Sequence, residues 1–135
     1  MTLERINPQE LARPSGFAYA ARTRGTVTVH IGGQTAVDAD GRIVGSGVVE
    51  QFEQALGNLP TALRAAGGGP EHLAALTIHV VDVPDYRAHA REIGQVGKRL
   101  AGTGYQATAG IGVARLWDDD ALVEVQGVAE IPDQA

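Results

Sequence analysis

The chain has 135 residues, 44% of them hydrophobic, with eleven Lys+Arg against sixteen Asp+Glu and a net charge of −5. That length suits one domain, 1–135, with a sizeable core, and scattered basic residues on an acidic chain disfavour nucleic acid and anionic membrane as partners. The absence of cysteine removes disulfides, thiolate nucleophiles and cysteine-based zinc sites, while the lack of an apolar leader or of a run near ~20 apolar residues points to a soluble, cytoplasmic protein.

A short strand is expected around residues 17–21. Residues 26–31 alternate with period two, setting Val27, Val29 and Ile31 on one face and Thr26, Thr28 and His30 on the other. Asp38-Ala-Asp-Gly-Arg42 has hairpin-turn chemistry, with short strands expected at 35–37 and 43–44. From 48 to 66 the period becomes helical, through Val49, Phe52, Leu56, Leu59, Leu63 and Ala66. Pro60 lies inside that helix, so a kink or break near Leu56 is expected. Gly67-Gly-Gly-Pro70 should close it through a left-handed cap.

Residues 74–81 read as a strand with Leu76, Ile78 and Val80 on one side and Thr77, His79 and Val81 on the other. A second helix follows, capped by Asp82 or Asp85, with Tyr86, Ala90, Ile93, Gly97 and Leu100 as its buried stripe. Two strand-like runs, 104–117 and 121–129, close the chain around the turn Trp117-Asp-Asp-Asp120.

Strands, helix, strand, helix and two strands predict an α+β fold: a single mixed β-sheet with two helices packed on one face. The other face is left bare. Val123 and Val125 have helix-facing parity, which puts Glu124, Gln126 and Val128 on the bare face with Thr77, His79 and Val81. That mixture of apolar and polar groups suits a subunit interface containing a pocket, in a closed ring of copies.

Glu124 is the principal candidate for chemistry. A carboxylate among Leu122, Val123, Val125 and Val128 either faces water or is held in a pocket, since burying even a neutral polar group without a partner costs about 2–7 kcal/mol. Held near a ligand, it can position a water or pass a proton. His30 and His79 share the polar parity of neighbouring strands, but two histidines without a third ligand make no metal site. His72 and His89 are expected to be solvated. Asp118-Asp-Asp120 reads as a solvated turn, and Gly67-Gly-Gly69 lacks the Lys-Ser/Thr of a phosphate loop. Neither a metal nor a cofactor is expected.

Ile31-Gly-Gly-Gln34, Asp38-Ala-Asp-Gly41, Glu50-Gln51 with Asn58-Leu59 and Leu63 through Gly67, Val113-Ala-Arg-Leu116 and Val123-Glu-Val125 occur in order along the chain. Together they resemble the RidA/YjgF family of reactive-intermediate deaminases. The resemblance implies a chorismate-mutase-like fold and a homotrimer whose sheets line a central β-barrel, with pockets at the subunit junctions. It also implies a small-molecule metabolite as partner, and hydrolysis of imines and enamines to keto acids and ammonia. On the same basis Glu124 is the pocket glutamate, the backbone amides around Gly33 and Gly110 orient the ligand, and Tyr19 is pocket wall. Phe17 stands where active relatives carry tyrosine, Ala90 where they carry asparagine, and Thr108 where they carry the arginine that clamps the substrate carboxylate.

A hydroxyl cannot supply the paired charge-assisted bonds of a guanidinium. The expectation is therefore an enzyme acting on an imine, enamine or related C–N bond that is not an efficient 2-iminopropanoate deaminase. The alternative is a non-catalytic trimeric metabolite-binding protein. A ribonuclease activity, sometimes attached to the family's names, is disfavoured by the acidic balance.

Overall fold

Leu56, Leu59 and Leu63, spaced along one stripe of the long helix, are at most 1% exposed, and the architecture follows from what covers them. The computed structural model describes residues 2–133. The strands are β1 (Thr2–Ile6), β2 (Ala20–Arg24), β3 (Thr26–Gln34), β4 (Leu73–Val80), β5 (Ala107–Gly112) and β6 (Val123–Pro132); the helices are α1 (Val48–Ala65), α2 (Val83–Ala88) and α3 (Ala90–Ala101). A four-stranded mixed sheet runs in the order β3-β6-β4-β5, with β6 antiparallel to both neighbours and β5 parallel to β4. The helix layer packs on one face: Phe52, Leu56, Leu59 and Leu63 of α1 and Ile93 and Val96 of α3 share one cluster with Val80, Val123, Val125 and Ala129. Val123, Val125 and Ala129 are fully buried while Gln126 is exposed, as period-two parity requires.

The sheet is not single. β1 and β2 form a separate antiparallel ribbon, so the strand expected at 17–21 begins three residues later and pairs with the N-terminal segment. Ala18 joins the main sheet through a parallel bridge to Ala107. The ribbon is tied down by Arg5, whose Nε donates to Tyr105 O at 2.6 Å, and by the exposed Arg22–Glu4 pair.

α1 is continuous through Pro60, without the expected break. The ring removes the N–H that would reach Leu56 O, and packing of Leu59 and Leu63 on either side outweighs that lost bond. The helix then ends as anticipated, with Gly67 at φ +91 and Gly68 N–H donating to Leu63 O at 2.9 Å.

The second helix is two helices. The chain breaks at His89, and the buried positions of α3 are Ile93, Val96 and Ala101, with Leu100 half-buried, whereas Ala90 is exposed and Gly97 intermediate. The stripe is therefore rotated from the one expected. At the front, Asp82 is the cap, its Oδ1 accepting from Asp85 N–H at 3.0 Å.

Smaller expectations also shift. The Asp38 turn forms, with Gly41 at φ +79 and Asp38 Oδ1 accepting from Asp40 and Arg42 N–H, but a single bridge, Val37–Ile43, stands where two short strands were expected. Val27 is 50% exposed, since β3 is an edge strand that starts where the helix layer no longer covers it. His72 is not simply solvated, because its Nδ1 accepts Gly69 N–H at 3.0 Å and caps the 3₁₀ turn Pro70–His72. His89 is half-buried at the break, its Nδ1 2.9 Å from Asp85 O, and that backbone hydrogen bond raises its pKa.

Candidate functional site

Glu124 emerges on the sheet face that the helices leave bare, opposite His79 on β4. On its other flank, β3 loses register between Ile31 and Gln34, a bulge centred on Gly32-Gly33. The bulge lets the backbone approach the carboxylate: a Cβ at residue 33 would lie 2.7 Å from Glu124 Oε2. A larger residue there would displace the carboxylate from its present position. The carboxylate is half-buried and makes no ion pair or side-chain hydrogen bond among the described residues. Arg115 is exposed and forms no ion pair with it among the described residues. A carboxylate held on one side by backbone and open on the other is free to hold a water or a ligand donor.

The loop that delivers Glu124 is fixed by Gln51, which is 3% exposed. Its Nε2 donates to Asp120 O at 3.0 Å and Gly45 O at 3.3 Å, and its Oε1 accepts from Leu122 N–H at 2.8 Å. One turn on, Gln54 and Asn58 donate to Val37 O at 3.0 and 3.1 Å, holding the segment after Gly33. Gln51→Leu is expected to destabilise the fold by about 1–3 kcal/mol, since three backbone groups lose a buried partner. Urea denaturation checks this, and an unchanged midpoint would show the network to be dispensable.

Thr108 lies elsewhere. β5 pairs with β4 so that Thr108 is opposite Leu76 and Gly110 opposite Ile78, both of helix-facing parity. Thr108 and Glu124 therefore lie on opposite faces, separated by roughly 14 Å of sheet, given ~4.8 Å between strands and ~3.4 Å per residue. The Thr108 hydroxyl donates to Gln106 O at 2.9 Å, so its one proton is already engaged. Phe17 and Tyr19, an edge-to-face pair with centroids 5.1 Å apart, border a depression of about 300 Å³ with Thr108, Thr77 and Ala109. Tyr19 Oη donates to Ala12 O at 2.6 Å, which makes it a latch for the N-terminal segment as well as a wall. Gly110 is exposed on the edge strand, with nothing within 4 Å of the Cβ it lacks. The candidate residues thus fall into two separate groups: Gly33 with Glu124, and Phe17, Tyr19 and Thr108, with Gly110 farther along the same edge strand.

His30 is opposite Val128 and His79 opposite Glu124 on the far side of β6. They are roughly 16 Å apart by strand spacing and rise, and no group of three or more His, Cys, Asp or Glu among the described residues is placed to hold a metal. The Asp118 carboxylate accepts from Thr35 Oγ1 at 3.2 Å, so this aspartate braces the turn.

Between α3 and β5 a second opening, about 410 Å³, was not anticipated. Ala90, Gly94, Gly97 and Lys98 form its helix wall, Leu76, Ile78 and Thr108 its strand wall, and Phe52 and Leu56 its floor. Tyr86 also lines it, and burial raises the pKa of that phenol, keeping it protonated. The available sequence signal was the pair Gly94 and Gly97 inside a helix, where each glycine costs about 1 kcal/mol relative to alanine. Trp117, at the tip of the β5–β6 connection, is 93% exposed. No helix among the described residues is long and apolar enough to cross a membrane.

Comparison with known proteins agrees with the fold. Residues 10–131 match the family model described as Endoribonuclease L-PSP. A goat protein named 2-iminobutanoate/2-iminopropanoate deaminase is 33% identical over 103 residues, covering 76% of this chain and 72% of the relative. A Drosophila melanogaster RutC family protein, UK114, is also 33% identical over 103 residues, covering 76% of this chain and 71% of its own. Among solved structures, YyfB from Yersinia pestis, a protein of unknown function of the conserved Rid family, superposes with a TM-score of 0.84 at 34% identity, covering 96% of this chain and 98% of its own. With a family model spanning nearly the whole sequence and relatives of this similarity, the chain belongs to the RidA/YjgF family.

Proposed function

We propose that the protein hydrolyses an imine, enamine or related C–N bond in a pocket shared between two copies of the chain, with Glu124 directing the water. The observation that carries this reading is the unpaired Glu124 carboxylate packed on Gly33 at the uncovered face. Such a group takes a proton from water as the oxygen attacks the C=N carbon and passes it to the imine nitrogen, giving the tetrahedral carbinolamine, then carries the carbinolamine hydroxyl proton to nitrogen as the C–N bond breaks, so that C=O forms and ammonia leaves. One water, with both of its protons delivered to nitrogen, suffices for that reaction.

The second copy enters because Thr108, Phe17 and Tyr19 cannot reach Glu124 within one chain. A homotrimer in which the bare faces line a central barrel buries Val128 and the 43%-exposed Ile111 and brings the two groups from adjacent copies together. The deaminase names of the goat and related mammalian proteins support the reaction class. The net charge of −5 speaks against the polyanionic substrate in the family model's description.

Thr108, with its proton given to Gln106 O, offers a small 2-imino acid no clamp. The wild-type protein is therefore expected to accelerate 2-iminopropanoate decay little, while hydrolysing another imine class. Coupling it to an amino-acid oxidase that releases imines, and following their decay with and without the protein, checks both halves. Acceleration of no imine would overturn the enzymatic reading in favour of a metabolite binder, and rapid loss of 2-iminopropanoate would show that another cation serves as the clamp.

A further inference from the structure

His79 stands directly opposite Glu124, on β4 beside β6 of the same chain. Opposite residues of an antiparallel pair point to one face, with Cβ atoms about 4.5–5.5 Å apart, so imidazole and carboxylate are neighbours on the uncovered face. Of the two residues opposite His79, Glu124 on β6 and Ile111 on β5, only Glu124 is ionisable. The ring is oriented by backbone: its Nδ1 lies 3.4 Å from Glu124 O. A carbonyl oxygen only accepts, so the neutral ring keeps its proton on Nδ1 and its lone pair on Nε2. Nε2 has no partner among the described residues, and neither does the Glu124 carboxylate. Every buried side-chain nitrogen and oxygen among the described residues has a partner, so these unpartnered atoms are open to solvent. No ion pair joins the two side chains, which leaves each free to engage a molecule on that face.

We propose that His79 is a second proton carrier in the reaction, serving the nitrogen while Glu124 serves the water. This rests on the imine-hydrolysing reading above and deepens it. A lone carboxylate has to reach two different atoms on one carbon, and an imidazole beside it divides the work. The imidazolium gives its Nε2 proton to the imine nitrogen as the Glu124 carboxylate takes a proton from the attacking water. The neutral ring then takes the carbinolamine hydroxyl proton, while the Glu124 carboxylic acid gives its proton to nitrogen as the C–N bond breaks. C=O forms, ammonia leaves, and both side chains regain their starting charge. The net change is still one water consumed with both protons on nitrogen.

Imine decay in the oxidase-coupled assay, measured on the full chain, tests this. His79→Gln is expected to lower kcat at least tenfold for whichever imine the wild type hydrolyses, with KM and melting temperature little changed. His30→Gln, on the same face but two strands away, should keep the wild-type rate. Free imidazole should restore part of the activity of His79→Ala and none of that of Glu124→Gln, with the decay caused by imidazole alone subtracted. A His79→Gln variant at the wild-type rate would overturn the proposal. So would a loss in His79→Ala that imidazole does not restore at all, because the ring would then serve the fold or a subunit contact. The two readings fail separately: an inactive Glu124→Gln beside a fully active His79→Gln removes only His79, whereas a wild type that accelerates no imine removes the reading beneath it as well.

Discussion

Glu124→Gln is expected to lower kcat/KM for imine hydrolysis by roughly 100-fold or more, the scale of a positioned acid–base group. The amide keeps the shape of the side chain and its packing on Gly33 but cannot take a proton from water. Stability should hardly change, because the carboxylate forms no ion pair among the described residues that the substitution would break. Imine decay and thermal melting, measured on the same preparation, check the two halves. A variant that melts normally and turns over at the wild-type rate would remove Glu124 from the mechanism.

Thr108→Arg is expected to raise activity on 2-iminopropanoate by roughly ten- to a hundredfold, corresponding to the ~1.5–3 kcal/mol of a charged hydrogen-bonding group. The position is half-buried and borders two openings, about 300 and 410 Å³, so a guanidinium has space that the threonine does not use. Steady-state rates on 2-iminopropanoate measure the gain. In the double variant with Glu124→Gln the gain should vanish; if the double variant keeps all of it, arginine clamps the substrate but Glu124 does not direct the water.

How much of this was legible without coordinates depended on the range of the interaction. The parity that exposes Glu124 between Val123 and Val125 is a property of one strand, and it was read correctly. The Gly67 cap and the Asp38 turn likewise follow from local chemistry. The break at His89 did not, since Tyr86 through Leu100 kept a helical spacing and only the packing of Ile93 and Val96 on α1 rotated the stripe. β1 was missed because its partner is β2, remote in sequence, and its side chains alternate between exposed Thr2, Glu4 and Ile6 and half-buried Leu3 and Arg5, without an apolar run. The separation of Thr108 from Glu124 was equally invisible: the face on which Thr108 lies is set by the register of β5 against β4, a tertiary pairing that no spacing within residues 104–117 encodes. The family's order of motifs implies pockets at subunit junctions, and the opposite-face placement of Thr108 and Glu124 is the observation behind the proposal that a second copy completes the pocket.

Sedimentation velocity at micromolar concentration decides whether a second copy is there to complete the proposed pocket. A single species of about 42 kDa is expected, three times the 14.1 kDa chain, with the face bearing Glu124 and Gln126 inside it. A protein that sediments as a 14.1 kDa monomer would contradict the shared pocket, because the two groups would then have no means of meeting.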